Sequence, residues 1–146
     1  MSNSTLAQRQ AELVAALVAG GPLPAGFDRR RVAVAEQALR GKRAGEVARV
    51  WPRLAAGLRE DWPECFRRWA SGRPPEGALR DGWDLARELA AEGALPALAA
   101  PELAAREAAM RYDGRRDPRR RRLPVIRRRL GVTALGAPGR VHLLGR

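Results

Sequence analysis

Apolar side chains recur at helical spacing along most of this chain, and proline or glycine repeatedly cuts the pattern. That punctuation limits the fold more than any other feature. Proline lacks a backbone donor and clashes with the preceding turn, so it is confined to helix starts and loops. A chain cut in this way makes several short helices, each bringing a few large side chains to a shared core.

The first helical piece covers about residues 5–19, capped by Ser4 or Thr5, with Leu6, Leu13, Val14, Leu17 and Val18 on one face. Gly20-Gly21-Pro22 stops it, and residues 22–26 read as a loop. Asp28 is placed to cap a second helix whose inner edge is Val32, Ala35, Glu36 and Leu39, and which Gly41 ends or bends. A third piece over about residues 44–51 carries Val47, Val50 and Trp51 on one face. Pro52 pushes Trp51 out of α geometry, and a short helix through Leu54 and Leu58 follows. Asp61-Trp62-Pro63 starts the next helix, and Ser71-Gly72-Arg73-Pro74-Pro75 is a clear break. Residues 79–91 place Leu79, Trp83, Ala86, Leu89 and Ala90 inward. Pro101 opens a last helix to about Tyr112, with Leu103, Ala104, Glu107 and Met110 along one side.

The expected fold class is therefore all-α, a compact bundle of about five to six short helices. It occupies residues 1–112, followed by an Arg-rich, mostly irregular C-terminal tail over residues 113–146. Two prolines and repelling charges exclude a helix across residues 115–124. Residues 125–130 can form a helical turn or a short strand, and residues 141–144 a short edge strand. Because the large apolar anchors precede the tail, deleting residues 114–146 is expected to leave the body folded.

Composition sharpens this reading. Of 146 residues, 45% are hydrophobic, which calls for a packed domain, but many are alanine. Alanine favours helix and buries little surface, so the core is thin and rests on a few large anchors. The net charge is +12, and its placement matters more than its size. Residues 1–111 carry +3, and residues 112–146 carry +9. All but one of the 28 basic residues are arginine. The N-terminus has no basic segment followed by a long apolar run, and the longest near-apolar stretch, residues 13–19, falls far short of the ~20 needed for a span. Cys65 is the single cysteine, so no intrachain disulfide forms. A cytoplasmic location is the expectation, with no membrane association.

The inventory for catalysis is poor. The chain has one histidine, His142, one cysteine and one tyrosine, Tyr112. Neither zinc-ligand spacing nor a Ser-His-Asp arrangement fits, and the glycine-rich loops lack the phosphate-binding patterns. No catalytic residue, metal ligand or cofactor is assigned, and the chain is expected not to be an enzyme. Asp81, Asp84 and Glu88 share one face of a helix and read most simply as a solvated face. Glu107 lies on an inner edge, where a buried carboxylate needs a partner; Arg40 or Arg49 from another helix can supply it. Trp62, Phe66 and Trp69 form an aromatic stripe that either anchors the core, the simpler reading, or docks a partner. Cys65 beside it reads as a small buried hydrophobe. Arg119, Arg120, Arg121, Arg122, Arg127, Arg128 and Arg129 form the strongest electrostatic feature. Guanidinium forks match phosphates and carboxylates alike, so this segment suits nucleic acid or an acidic protein surface. It lacks the interleaved aromatics of a single-strand stacking surface.

The succession Trp51-Pro52, Trp62, Phe66-Arg67-Arg68-Trp69-Ala70, Arg73-Pro74-Pro75, Asp81-Gly82-Trp83 and Glu102-Leu103-Ala104-Ala105-Arg106-Glu107 resembles the N-terminal domain of HvfC/BufC-type proteins, a family also labelled DNA-binding. The likeness spans about residues 8–112, as a short actinobacterial-like variant. Val32-Ala33-Val34 stands where that family commonly has an aromatic-Arg pair. The resemblance implies a helical bundle serving as accessory subunit to a multinuclear non-haem iron enzyme that modifies peptides, the metal belonging to that enzyme. The expected function is a non-catalytic accessory or adaptor protein binding a protein or peptide partner, with Trp62, Phe66, Trp69 and Glu107 as partner-binding candidates. The alternative is a DNA- or RNA-binding protein using the arginine tail.

Overall fold

In the computed structural model, described over residues 2–19, 28–123, 125–129, 131–137 and 140–144, helices occupy the first three quarters of the chain and strands the last. The helices are α1 (Ser2–Ala19), α2 (Arg29–Val50), α3 (Pro52–Leu58), α4 (Trp62–Ala70), α5 (Ala78–Ala91) and α6 (Ala100–Ala109), with a 3-10 turn at Arg59–Asp61 before α4. Then come β1 (Met110–Arg111), β2 (Arg119–Arg120), β3 (Val125–Arg129), β4 (Val132–Ala137) and β5 (Arg140–Leu144).

Proline starts helices as expected. Pro52, Pro63 and Pro101 each stand in the first turn of α3, α4 and α6. Asp28 caps α2, its carboxylate accepting from the Arg30 amide at 2.9 Å. Trp51 offers α3 no side-chain cap. Glu102 of α6 serves instead, accepting from the Leu54 amide at 2.9 Å.

Gly41 does not end α2, which runs unbroken for 22 residues. A lone mid-helix glycine costs only about 1 kcal/mol. Ala44 and Val47, one and two turns on, sink into the core and hold the helix together across it. On α1, among the described residues, Ala16 is buried and Leu13, Leu17 and Val18 are half-buried, whereas Leu6 and Val14 are exposed, so only part of the expected apolar face packs. The stop at Gly20-Gly21-Pro22 and the loop through Gly26 lie outside the described residues.

The core has the thin, anchored character expected of an alanine-rich chain. Trp51, Leu54, Phe66, Trp83, Leu85 and Leu103 are fully buried and meet in one cluster with Val47 and Tyr112. Trp51 and Trp83 pack edge to face, centroids 5.9 Å apart. Trp51 is held further by its indole N–H donating to the Leu79 carbonyl at 3.0 Å and by the Arg106 guanidinium over its ring at 4.3 Å. Glycine is required at 82, where a Cβ would lie 2.2 Å from Trp51 Cδ1.

The all-α expectation is corrected here. The C-terminal segment is not an irregular tail: it folds into two small antiparallel sheets. β1 pairs with β2, Met110 opposite Arg120. β3, β4 and β5 form a three-stranded meander in that order. The turn between β3 and β4 has two residues, with Gly131 at φ +81°, a conformation that suits a tight hairpin. This meander lies against α6, where Ala104, Ala108 and Ala134 form a second small core with Val141. Gly136 permits the approach, since a Cβ there would meet the Ala108 carbonyl oxygen at 2.2 Å. Arginine-rich strands are compatible with pairing because their guanidiniums extend past the sheet to solvent or to carboxylates. No helix of the described residues is long and apolar enough to cross a membrane.

Candidate functional site

Where α6 ends, the chain turns directly into β1, and the meander folds back so that β3 passes the same point. The result is an arginine-lined cleft of about 470 Å³. One wall is Met110, Arg111 and Tyr112; the other is Ile126, Arg127, Arg128 and Arg129 of β3. Glu107, Arg87 and Arg121 complete it.

Glu107 organises the base. It is buried, and Arg87 Nε of α5 donates to its carboxylate at 3.0 Å. Arg129 of β3 donates from the other side, Nε and a terminal nitrogen each at 3.2 Å. Burial alone would raise this carboxyl, but the hydrogen bonds and charges of Arg129 and Arg87 outweigh it and hold it below the ordinary glutamate value. Glu107 thus ties helix to sheet. Its partners are not Arg40 or Arg49: Arg40 pairs with Glu36 one turn earlier, and Arg49 bonds the Gly45 carbonyl. Arg129 reaches Glu107 only because β3 folds back against α6, which no local sequence signal shows.

Arg121 spans the end of α6, its Nε donating to the carbonyls of Glu107 and Met110 at 3.1 and 3.0 Å. Glu107 lies in the last turn of α6 and Met110 is its C-cap, where a cation is favoured. Burial first, then the like charges of Arg127 and Arg111, hold its guanidinium below the ordinary arginine value. Among the described residues, none of Arg111, Arg121, Arg127 and Arg128 forms an ion pair. Among the described residues, the only carboxylate lining the cleft, Glu107, is already shared by Arg87 and Arg129.

Beside the cleft, Tyr112 joins the helices to the ribbon. Its hydroxyl donates to Asp84 at 2.8 Å, and the Arg87 guanidinium lies 5.2 Å from its ring centroid. Burial raises Asp84, and the Tyr112 hydrogen bond with the charges of Arg87 and Arg80 offsets only part of it. Asp81 and Asp84 therefore do not belong to a solvated face, whereas Glu88 stays half-exposed. Asp81 is buried against Arg43 at 2.7 Å, and Glu88 takes a two-pronged contact from Arg73 at 2.6 and 3.2 Å. Each carboxylate is committed to a different partner. Among the described residues, no three of His, Cys, Asp and Glu come together as a metal site.

The other sequence candidates separate. Trp62 and Phe66 are buried in the main core, 8% and 0% exposed, and Trp69 packs half-buried at its edge beneath Arg73. Cys65 is half-buried, its thiol raised by burial against the lowering effect of Arg68. Arg121, Arg127, Arg128 and Arg129 join the cleft. Arg119, Arg120 and Arg122 do not; they lie on β2 and just after it, and Arg119 and Arg120 are exposed. Arg87 and Arg111 belong to the cleft although only their place in the fold reveals it.

Fold and site together describe a helical module whose C-terminal sheet adds a basic cleft. Over residues 7–91, from α1 to the end of α5, the chain matches the family described as SCO6045-like, C-terminal domain, and it belongs to that family. It is 46% identical over 89 residues to a UPF0276 protein of Streptomyces avermitilis, a stretch making up 60% of this chain and 18% of that protein. The chain thus spans less than a fifth of that relative's length. No solved structure matches it. The resemblance to HvfC/BufC-type N-terminal domains is overturned by the family match. The Trp-Pro and Gly-Trp steps that carried it are helix-start and core chemistry, which unrelated bundles of short helices share.

Proposed function

We propose that the chain is a non-catalytic accessory module that binds a protein or peptide partner. The observation that carries this reading is the cleft between α6, β1 and β3, where among the described residues the guanidiniums of Arg111, Arg121, Arg127 and Arg128 form no ion pair. Arginines held this close repel one another, and an anionic ligand relieves that repulsion. The family description adds support, since it treats the matched segment as one domain of a longer protein. So does the relative, of which the matched stretch is 18%. A module that elsewhere adjoins further polypeptide is suited to docking on one. The cytoplasm is the site of action in this reading.

A second reading is nucleic-acid binding. Arg119 and Arg120 are exposed beside the cleft, and the net charge of +12 attracts any polyanion. One experiment separates the two. The tagged chain and its Arg127→Glu/Arg128→Glu form are used to recover partners from the native cytoplasm after nuclease treatment. A discrete protein recovered by the unaltered chain supports the accessory reading. Material lost on nuclease treatment moves the assignment to nucleic acid, and recovery of neither contradicts both.

A further inference from the structure

The two walls of the cleft identify the shape of what it holds. Successive side chains of a strand point to opposite faces of its sheet. Yet Ile126, Arg127, Arg128 and Arg129, four residues in a row, all border the same cleft. A groove flanked by both faces of a strand runs along its edge. Sheet order agrees, because among the described residues β3 has a strand partner on one side only. The opposite wall is likewise three consecutive residues, with β1 partnered, among the described residues, by β2 alone.

An unpaired strand edge offers a row of amides and carbonyls to an incoming extended chain. Here that edge is set among guanidiniums. Arg111 comes from β1, Arg121 from just after β2, where it caps the end of α6, and Arg127 and Arg128 from β3 itself, one on each face. Glu107 does not neutralise them, being occupied by Arg87 and Arg129. Met110 and Ile126, the latter 65% exposed, supply apolar contact at the rim. Backbone groups along the edge, apolar spots and flanking positive charge fit a polypeptide better than a nucleic acid, whose backbone offers no complementary donors to a strand.

We infer that this cleft is the docking groove for an extended, Asp- and Glu-rich segment of a partner protein. The segment adds a strand to the free edge of β3 and sets its carboxylates against Arg111, Arg121, Arg127 and Arg128. Glu107 is a positioning residue, fixing Arg129 and so the line of β3. The inference rests on the partner-binding reading above and narrows it to one face and one class of ligand.

The test is fluorescence anisotropy of the full chain with three labelled probes. They are a peptide of alternating glutamate and valine, the same peptide N-methylated at alternate amides, and a single-stranded oligodeoxynucleotide of equal charge. The plain peptide is expected to bind. Arg127→Glu or Arg128→Glu is expected to weaken it about tenfold or more, while Arg9→Glu on α1 changes it little. Methylation, which removes the donors that pair with a strand edge, is expected to weaken it comparably. Circular dichroism on each variant confirms the fold. Three outcomes overturn the inference: no peptide binding at low salt, equal affinity for both peptides, or an oligonucleotide that binds more tightly and competes the peptide away. If the Arg127→Glu/Arg128→Glu chain still recovers its protein partner, the accessory reading survives and the groove alone is lost.

Discussion

Gly136→Ala tests whether the C-terminal meander is seated on α6. The added Cβ would stand 2.2 Å from the Ala108 carbonyl oxygen, 2.7 Å from its carbonyl carbon and 3.1 Å from its Cβ. Two of these are backbone atoms inside a helix and cannot rotate away. Sheet and helix must part by about 1 Å to restore van der Waals distance. Overpacking of this kind costs about 1–3 kcal/mol. Separation also opens the contact among Ala104, Ala108 and Ala134, each at most 1% exposed, adding about 1 kcal/mol for partly re-exposed methyl groups. The total is about 2–4 kcal/mol. At about 3 °C per kcal/mol for a domain of this size, Tm should fall by roughly 6–12 °C. Thermal denaturation followed by circular dichroism measures it. Gly41→Ala is the matched control: nothing lies within 4 Å of its Cβ position, so it should gain up to about 1 kcal/mol from helix propensity. A Gly136→Ala Tm within about 1 °C of the unaltered chain would mean that the meander does not rest on α6, and the site built on it would dissolve.

Other expectations follow from the same contacts. Gly82→Ala should cost about 2–4 kcal/mol, because Trp51 is pinned by Leu79 and Arg106 and has nowhere to go; urea denaturation reads it. Asp81→Asn should cost about 2–4 kcal/mol by leaving the Arg43 guanidinium, 11% exposed, without its counter-charge; a loss under 0.5 kcal/mol would show that the pair is solvated. Glu107 gives a pH signature. Its folded value is depressed, so its stabilisation is full above the unfolded glutamate value and is lost as pH falls through the folded one. The Tm gap between the unaltered chain and Glu107→Gln should therefore narrow from about pH 7 to about pH 3; a constant gap would count against the Arg87–Glu107–Arg129 bridge. Asp84 works in the opposite direction, since its raised value makes the native state hold its proton longer, and Asp84→Asn should flatten the loss of stability as pH rises through the carboxylate range.

The helical half was legible because its signals are local. Proline at a first turn and Asp28 as a cap act within a few residues, and Pro52, Pro63 and Pro101 each opened a helix where the sequence placed one. Gly41 misled because a helix interior is decided by what its neighbours bury, and Ala44 and Val47 are buried only through α2 meeting other helices. The sheet was obscured by its own charge. Val125, Ile126, Val132, Thr133 and Val141 are β-branched, but interspersed arginines and small residues hid their alternation. Ala134 and Gly136 looked like weak strand formers when their smallness is what lets β4 reach α6. The site was half legible for the same reason. Glu107 stood out as a carboxylate on an apolar face and the arginines as a cluster, while their meeting depends on a fold-back that no local pattern encodes. The motif that suggested another family consisted of residues any such core needs, so it could not discriminate between families.

The most direct measurement is hydrogen–deuterium exchange of the full chain with and without the alternating glutamate–valine peptide. Occupation of the groove predicts slowed exchange at residues 125–129 and 110–112, with α1 and α2 unchanged. Exchange at β3 that stays the same under saturating peptide, or protection that falls on the helical body instead, would contradict the account.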